Sequence, residues 1–345
     1  MPDMNDVVRK YLDKLEGIID IEHDKRVKEV YKKVFEYQPV DELPYVISDT
    51  SEIKDNDWPS YRYNDAFADP AKMLLNELNG IFRHVQAKDY HPLNIRCNYG
   101  TVIMPSVLGM TYKLTEASMP WSNHVETRED VQKLIQKGIP DLEQGLGKTC
   151  FETAAYYKKM LAPYPKLNKA MNIYHPDMQG PFDIIHLIWG HDLMYAMFDC
   201  PEMIHDMMQV VTETYRAYMR KWKKFTGEGN EFTSHWWFYM KGGIMLRNDS
   251  PIMISPEQYE EFVKPYDQSL LDEFGGCVHF CGRGTTFIDS MCKSKKLYGL
   301  HSSQIHLNDK ELLYKSTSEN KVVWLSVSKE FLPSVPLKTG VTLYK

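Results

Sequence analysis

Strand-like and helix-like segments alternate along most of this chain, and this alternation limits the fold more than any other feature. Short apolar runs such as residues 94–100, 170–175 and 297–301 alternate with longer segments of helical periodicity, without antiparallel hairpin signals between them. Six or seven strand candidates of this kind indicate a parallel sheet covered by helices, close to a (β/α)8 barrel. We therefore predict an α/β fold: a TIM-like (β/α)8 barrel over residues 41–345 with an N-terminal helical extension over residues 1–40.

Helix-start signals support this segmentation. Asp69-Pro70 predicts a helix start, because aspartate caps well and proline suits the first helical turn. Ser255-Pro-Glu-Gln258 combines a capping serine, a first-position proline and a third-position glutamine, so a second helix should begin there. Apolar residues recur at helical spacing in residues 3–37, which predicts one or two amphipathic helices for the extension.

Composition excludes several functional classes. The chain has 41 basic and 47 acidic residues and a net charge of −6, and no Lys/Arg block stands out, so a nucleic-acid partner is not expected. No run of about 18 apolar residues occurs, so no membrane span is expected either. Six cysteines without a C-x-x-C pair, and no apolar signal-peptide core near the N-terminus, predict a reduced, cytoplasmic protein.

The stretch Gly275-Gly-Cys-Val-His-Phe-Cys-Gly-Arg-Gly284 carries the strongest chemical signal. It predicts a buried strand that runs directly into a glycine-rich turn. His279 and Cys281 are two residues apart and therefore point to the same side of an extended strand. An imidazole and a thiolate on one side can share a borderline metal such as zinc. The alternative is a hydrogen-bonded histidine beside a small buried apolar cysteine.

Polar side chains follow most of the predicted strands. Reacting groups of (β/α)8 barrels lie at the carboxyl ends of strands and in the next loops, so these side chains should surround one mouth. The polar and aromatic loop at residues 49–66, which includes Asp55, is expected to contribute. His175, Asp177 and Gln179 could instead form a helix-capping turn, and Asp249 an ion pair with Arg247. The predicted catalytic residues are Asp249, His175, Asp177 and Tyr99, and the predicted substrate-binding residues are Asn98, Gln179, Arg62, Trp58 and His301.

Four stretches resemble the superfamily of uroporphyrinogen decarboxylases and cobalamin-related methyltransferases. They are Met178-Gln-Gly-Pro-Phe-Asp183, Asp199-Cys-Pro-Glu-Met-Ile-His205, the segment from Arg247-Asn-Asp-Ser250 through Ser255–Tyr266, and His279-Phe-Cys-Gly282. The resemblance spans roughly residues 40–330, and the order of the motifs is more specific than any one of them. It implies a (β/α)8 barrel with a deep pocket at the carboxyl ends of the strands.

The methyltransferase branch of that superfamily binds zinc through a His-x-Cys pair and a distant second cysteine. The zinc activates a thiol that exchanges a methyl group with a corrinoid, which a partner protein can carry. His279 and Cys281 match the first two ligands, whereas the only later cysteine, Cys292, falls on a predicted helix. The third ligand would then be Asp249, His301, His175 or an exogenous group.

The decarboxylase branch binds the carboxylates of its tetrapyrrole with an arginine-rich N-terminal motif. This chain has no such motif, and only Arg62 and Arg96 lie near the first two strand ends. The sequence thus leaves three hypotheses for a small-molecule site: a zinc-dependent methyltransferase, a decarboxylase of a porphyrinogen or another carboxylated ligand, and a non-catalytic barrel that binds a corrinoid or a protein partner. The oligomeric state stays open.

Overall fold

The computed structural model describes residues 3–53, 57–116 and 119–345. Within these ranges the chain forms fifteen α-helices, twelve strands and three short 3-10 helices, so it is a mixed α/β protein. The helices are α1 (Met4–Ile18), α2 (Ile21–Phe35), α3 (Tyr63–Phe67), α4 (Pro70–Ala87), α5 (Ile103–Val107), α6 (Arg128–Lys137), α7 (Gly145–Leu161), α8 (Pro165–Ala170), α9 (Pro181–Trp189), α10 (Asp192–Asp199), α11 (Pro201–Thr226), α12 (Pro256–Phe262), α13 (Lys264–Phe274), α14 (Ile288–Cys292) and α15 (Lys310–Glu319).

The main sheet is entirely parallel. Six strands follow one another in the order β1-β12-β11-β10-β9-β8, and a separate parallel pair joins β2 to β5. The strands are β1 (Tyr45–Val46), β2 (Asn94–Ile95), β3 (Tyr112–Lys113), β4 (Trp121–Ser122), β5 (Asn172–Ile173), β6 (Phe232–His235), β7 (Phe238–Lys241), β8 (Ile244–Arg247), β9 (Gly276–Phe280), β10 (Leu297–Ser302), β11 (Val323–Val327) and β12 (Val341–Tyr344). The predicted α/β fold with a parallel sheet is confirmed, and β12 is a strand that the sequence analysis did not predict.

The two parallel sheets contact each other at both edges. On one side, the Tyr90 amide, which precedes β2, donates to the carbonyl of Tyr45 in β1 at 2.9 Å. On the other, the Gly180 amide, which follows β5, donates to the carbonyl of Arg247 in β8 at 2.7 Å. A side chain at Gly180 could not fit, because its Cβ would lie 2.5 Å from that carbonyl oxygen. This close approach brings the loop after β5 against the end of β8.

Two antiparallel hairpins contradict the expectation of a chain without them. β3 pairs with β4, and β6 pairs with β7 through the two-residue turn Trp236-Trp237. Two-residue hairpin turns usually carry glycine or asparagine, because these residues tolerate a positive φ. Here a tryptophan, Trp236, adopts a positive φ of 49°. Contacts from distant segments hold the turn: Asn94 Nδ2 donates to the Trp236 carbonyl at 2.7 Å, and the Tyr31 hydroxyl donates to the Trp237 carbonyl at 3.1 Å. The turn therefore depends on tertiary structure, which is why the local sequence gave no signal.

The helix-start signals act as expected. Asp69 accepts a hydrogen bond from the Ala71 amide at the start of α4, and Ser255 with Gln258 forms a complete capping box at α12. The N-terminal segment forms two helices: α1 packs on α4, and α2 packs on β7. None of the helices in the described ranges has the length and apolar character that crossing a bilayer requires.

Candidate metal centre

Neighbouring strands bring Asp249, His279 and Cys281 together. β8 and β9 are parallel, with Arg247 beside His279, so Asp249 and Cys281 each lie just past the corresponding strand end. All five residues of β9 are buried, which fixes the His279 backbone. Gly282 has a φ of 86° and turns the chain immediately after Cys281. The paired strand ends thus place an acidic, an imidazole and a thiol side chain at one location.

The three side chains form a compact set of metal-binding atoms. His279 Nε2 lies 3.3 Å from Cys281 Sγ and 3.6 Å from Asp249 Oδ1. The Cys281 amide also donates to Asp249 Oδ1 at 2.6 Å. All three ligand atoms lie within 4.8 Å of one another, and no other cluster of this kind occurs among the residues that the structure describes. Asp249 and Cys281 are partly exposed, whereas His279 is buried.

A second layer of side chains orients these three residues. His279 Nδ1 is 2.8 Å from His301 Nδ1, so one nitrogen donates and the other accepts, and Nε2 of His279 faces Cys281. The Ser303 hydroxyl donates to Cys281 Sγ at 3.1 Å. The buried carboxylate of Asp183 accepts from the amides of Asp249 and Ser250, both at 2.8 Å.

Burial has the largest effect on the ionisation of the centre. Burial raises the pKa of Asp249. Burial, together with the nearby Asp249 charge, raises the pKa of Asp183 to about 8 and that of the Cys281 thiol to about 11. Burial lowers the pKa of His279 well below its usual value, so the imidazole stays neutral. A divalent cation bound there would favour the ionised carboxylates and thiolate.

A cavity of about 410 Å³ lies beside the centre, and both His301 and Ser303 line it. Its size is within the range of roughly 300–1,000 Å³ that is usual for small-molecule sites. His301 contacts His279 and Ser303 contacts Cys281, so these two residues lie between the cavity and the metal-binding residues.

The predicted site residues His175, Asp177 and Gln179 belong to a different group of side chains. We call this group the interior cluster; it consists of Arg96, His175, Asp177, Gln179, His235 and Arg247. Asp177 Oδ1 is 2.9 Å from Arg247 Nε, and it also accepts from Gln179 Nε2 at 2.5 Å. The imidazole of His175 accepts from the Met245 amide through Nε2 at 3.1 Å. The exposed fraction is below 10% for His175, Asp177 and Gln179. These residues of the loop after β5 therefore belong to a buried ion-pair network.

The remaining predicted residues lie apart from the centre. The buried Tyr99 hydroxyl is 2.6 Å from Thr153 Oγ1, and the Trp58 indole donates to the Leu75 carbonyl of α4. Arg62 is exposed and pairs with Asp65, while the Asn98 amide donates to Met73 Sδ. Of the loop at residues 49–66, Asp55 lies outside the described residues.

Sequence reasoning did not single out Asp183 or Ser303, and it interpreted Trp236 and Trp237 as packing residues rather than as a stacking platform. Asp183 ends the Met178–Asp183 motif, so its position was visible, but its role depends on the approach of that loop to β8. Ser303 directly follows β10, and the rule that reacting groups sit at strand ends could have found it. The position of Trp237 at a cavity could not be predicted, because its hairpin was not predicted.

The chain matches no protein-family model and no curated protein sequence. Among solved structures it is similar to a methyltransferase from Methanosarcina mazei, with a TM-score of 0.64 and 16% sequence identity. The similarity covers 87% of this chain and 82% of that structure. At this identity the comparison establishes a shared fold, so the activity has to be argued from the site.

Proposed function

We propose that the chain is a zinc-dependent methyltransferase that moves a methyl group between a small thiol and a corrinoid, the latter carried by a partner protein. The observation that carries the proposal is the set of three metal-binding atoms, all within 4.8 Å of one another, beside a cavity of ligand size. The fold shared with a methyltransferase supports it. A closed (β/α)8 barrel over residues 41–345, a helical extension over residues 1–40 and a cytoplasmic location complete the proposal.

The spacing of the donors suits zinc. Bonds of ~2.0–2.3 Å in a tetrahedral site hold neighbouring ligand atoms roughly 3.3–3.7 Å apart. His279 Nε2 meets this requirement at 3.3 Å from Cys281 Sγ and 3.6 Å from Asp249 Oδ1. Three protein ligands with one position left for substrate is the arrangement of catalytic rather than structural zinc sites. Asp249 thus takes the place that a second cysteine holds in the superfamily's methyltransferases.

A zinc ion bound there would hold a substrate thiol as its thiolate at neutral pH. The protein's own groups have separate roles. His301 keeps Nε2 of His279 turned towards Cys281, and the amides that bind Asp183 fix the loop that carries Asp249. Ser303 donates to the Cys281 sulfur, which favours its thiolate form.

The decarboxylase hypothesis has weaker support. Arg96 lies 3.8 Å from Glu77 and 3.9 Å from Asp177, and Arg247 pairs with the same aspartate, so both arginines already face carboxylates of the protein. A substrate with many carboxylates would need unpaired cations. Anaerobic incubation with uroporphyrinogen should therefore give no product with fewer carboxylates.

The hypothesis of a non-catalytic corrinoid-binding barrel predicts a copurifying corrinoid without turnover.

Metal analysis combined with a methyl-transfer assay tests the proposal. We expect about one zinc per purified chain and thiol-dependent demethylation of methylcobalamin with 2-mercaptoethanol. In that reaction a sulfur–carbon bond forms and the cobalt–carbon bond breaks, its electron pair stays on cobalt, and the thiol proton goes to solvent. Cys281→Ser should lose both properties, whereas the half-buried Cys200→Ser should keep them. Purified protein without a transition metal, together with full activity in Cys281→Ser, would refute the proposal.

A further inference from the structure

The cavity beside the metal centre has a distinctive wall of aromatic rings. Trp237, Phe331 and Tyr344 line it, together with one isoleucine, two histidines and the hydroxyls of Ser303, Ser326 and Ser328. The Trp237 and Tyr344 rings stack with their centroids 5.9 Å apart and their planes at 28°. The cavity therefore offers flat apolar surfaces with hydrogen-bonding groups between them.

Trp237 is held rigidly. Its indole nitrogen donates to Ser326 Oγ at 2.6 Å, and its carbonyl accepts from the Tyr31 hydroxyl at 3.1 Å. The indole also meets the His301 ring edge to face, with centroids 5.8 Å apart and planes at 89°. A ring fixed in this way loses little conformational entropy when a ligand packs on it, so it is well suited to select ligands by shape.

The wall lacks charge. Among the described residues that line the cavity there is no lysine, arginine, aspartate or glutamate. A carboxylate or phosphate group on a ligand would lose its hydration without gaining a fixed charge partner, whereas a hydroxyl or amide could bond to the serine hydroxyls. The chemistry of the wall thus selects against anionic ligands.

We propose that this cavity binds an uncharged aromatic small molecule that bears one hydrogen-bonding substituent, with Trp237, Phe331 and Tyr344 as the aromatic wall that its ring contacts. The inference goes beyond the proposed function, because it concerns binding in this cavity and not the methyl transfer. It can be tested without metal or methyl donor, so its failure and the failure of the proposed function are distinguishable.

Calorimetric titration of chelator-treated protein with benzyl alcohol and benzoate tests the charge preference. We expect benzyl alcohol to bind at least roughly tenfold more tightly than benzoate, two ligands that share a ring and differ in charge. Ser328→Arg places a cation in the wall and should reverse this order. Ser60→Arg, at an exposed position outside the cavity lining, should leave it unchanged.

Trp237→Ala tests the packing surface and should weaken benzyl alcohol binding by roughly fivefold or more, while Trp121→Ala on the exposed β4 should not. If Trp237→Ala does not fold, the binding preference of Ser328→Arg for benzoate over benzyl alcohol tests the inference by itself. Equal or tighter binding of benzoate to the unaltered protein, no reversal in a folded Ser328→Arg variant, or no binding of benzyl alcohol up to about 10 mM would each overturn the inference.

Discussion

The metal centre of Asp249, His279 and Cys281 and the interior cluster around Arg247 both lie at the carboxyl ends of parallel strands, yet their charges are arranged differently. In the interior cluster, Asp177 faces two arginines, at 2.9 and 3.9 Å. At the metal centre, the Asp249 carboxyl and the Cys281 thiol lie near the buried carboxyl of Asp183 in the second layer, and burial raises the pKa of all three groups. In the first region the carboxylate pairs directly with arginines, whereas in the second the Arg247 charge acts on Asp249 without an ion pair between them among the described residues.

This difference separates structural from functional polar residues when both occupy positions that suit catalysis. A buried network whose members pair with one another holds strands and loops in register, as Arg247 in β8 does with Asp177 after β5. A set of donors without a cation beside a cavity is instead prepared for a ligand. We therefore expect substitutions in the interior cluster to lower the stability of the fold, and substitutions in the metal centre to lower ligand binding.

The largest effect on stability should come from Arg247→Met. The substitution leaves the buried Asp177 without its closest cation, and removing one partner of a buried ion pair costs about 3–5 kcal/mol. We expect the free energy of unfolding, measured by urea denaturation, to fall by that amount. Zinc content per folded chain should stay unchanged.

Asp249→Asn is the matched substitution in the metal centre. Its carboxyl is partly exposed and its raised pKa shows that the negative charge is unfavourable in the metal-free protein, so stability without zinc should change by less than about 1 kcal/mol. Zinc affinity should fall strongly. Equal losses of stability in Arg247→Met and Asp249→Asn would remove the distinction between the two regions.

The sequence was sufficient for the alternation of strands and helices and for the helix starts, because both depend on local patterns such as Ser255-Pro-Glu-Gln258. It could not predict the β6–β7 hairpin, since Trp236 takes a positive φ only because Asn94 and other distant residues hold the turn. It also missed β12, which pairs with β1 and β11 and so joins the first strand to the C-terminal part of the sheet.

For the site, the sequence identified His279 and Cys281 by their two-residue spacing but left the third donor open among Asp249, His301, His175 and an exogenous group. The register of β8 against β9 brings Asp249 into reach, and that register is a tertiary property. His301 lies against Nδ1 of His279, on the side away from Cys281, and His175 lies in the interior cluster. A position at a strand end could not by itself distinguish a metal-binding side chain such as Asp249 from side chains with other contacts, such as His301 and His175.

A smaller effect should appear in acid. Burial and the Arg247 charge lower the pKa of His175 from 6.5 to about 3, so the folded state requires a neutral imidazole. The stability that depends on this neutrality is complete above pH ~6.5 and is lost as the pH falls towards 3, by about 1.4 kcal/mol per pH unit. Between pH 6.5 and 5, His175→Gln should therefore lose about 2 kcal/mol less stability than the unaltered protein.

Urea denaturation at several pH values, with and without added zinc, compares the stability of His175→Gln with that of the unaltered protein. His175→Gln should flatten the acid side of the profile under both conditions, because His175 belongs to the interior cluster and contacts no metal-binding atom. The absolute stability of the variant can be lower, since its side chain replaces the acceptor for the Met245 amide. A profile as steep as that of the unaltered protein would show that His175 is charged, or solvated, in the fold.

The smallest effect should come from Ser303→Ala, which removes one hydrogen bond to the Cys281 sulfur and leaves all three donors in place. Burial already raises the pKa of this thiol to about 11, and loss of the donor should raise it further, so zinc must displace a more tightly held proton. At pH 7 we expect zinc affinity, measured by competition with a chromophoric chelator, to fall by roughly three- to tenfold, about 1 kcal/mol.

Ser328→Ala is the control for Ser303→Ala, because Ser328 lines the same cavity without a hydrogen bond to Cys281 among those that the structure describes. It should leave zinc affinity unchanged. If the deficit of Ser303→Ala comes from a higher thiol pKa, it should be the same at every pH well below 11, because the Cys281 thiol is almost fully protonated throughout that range, and it should shrink only near and above pH 11. Equal zinc affinities of Ser303→Ala and the unaltered protein would show that this hydrogen bond does not stabilise the thiolate.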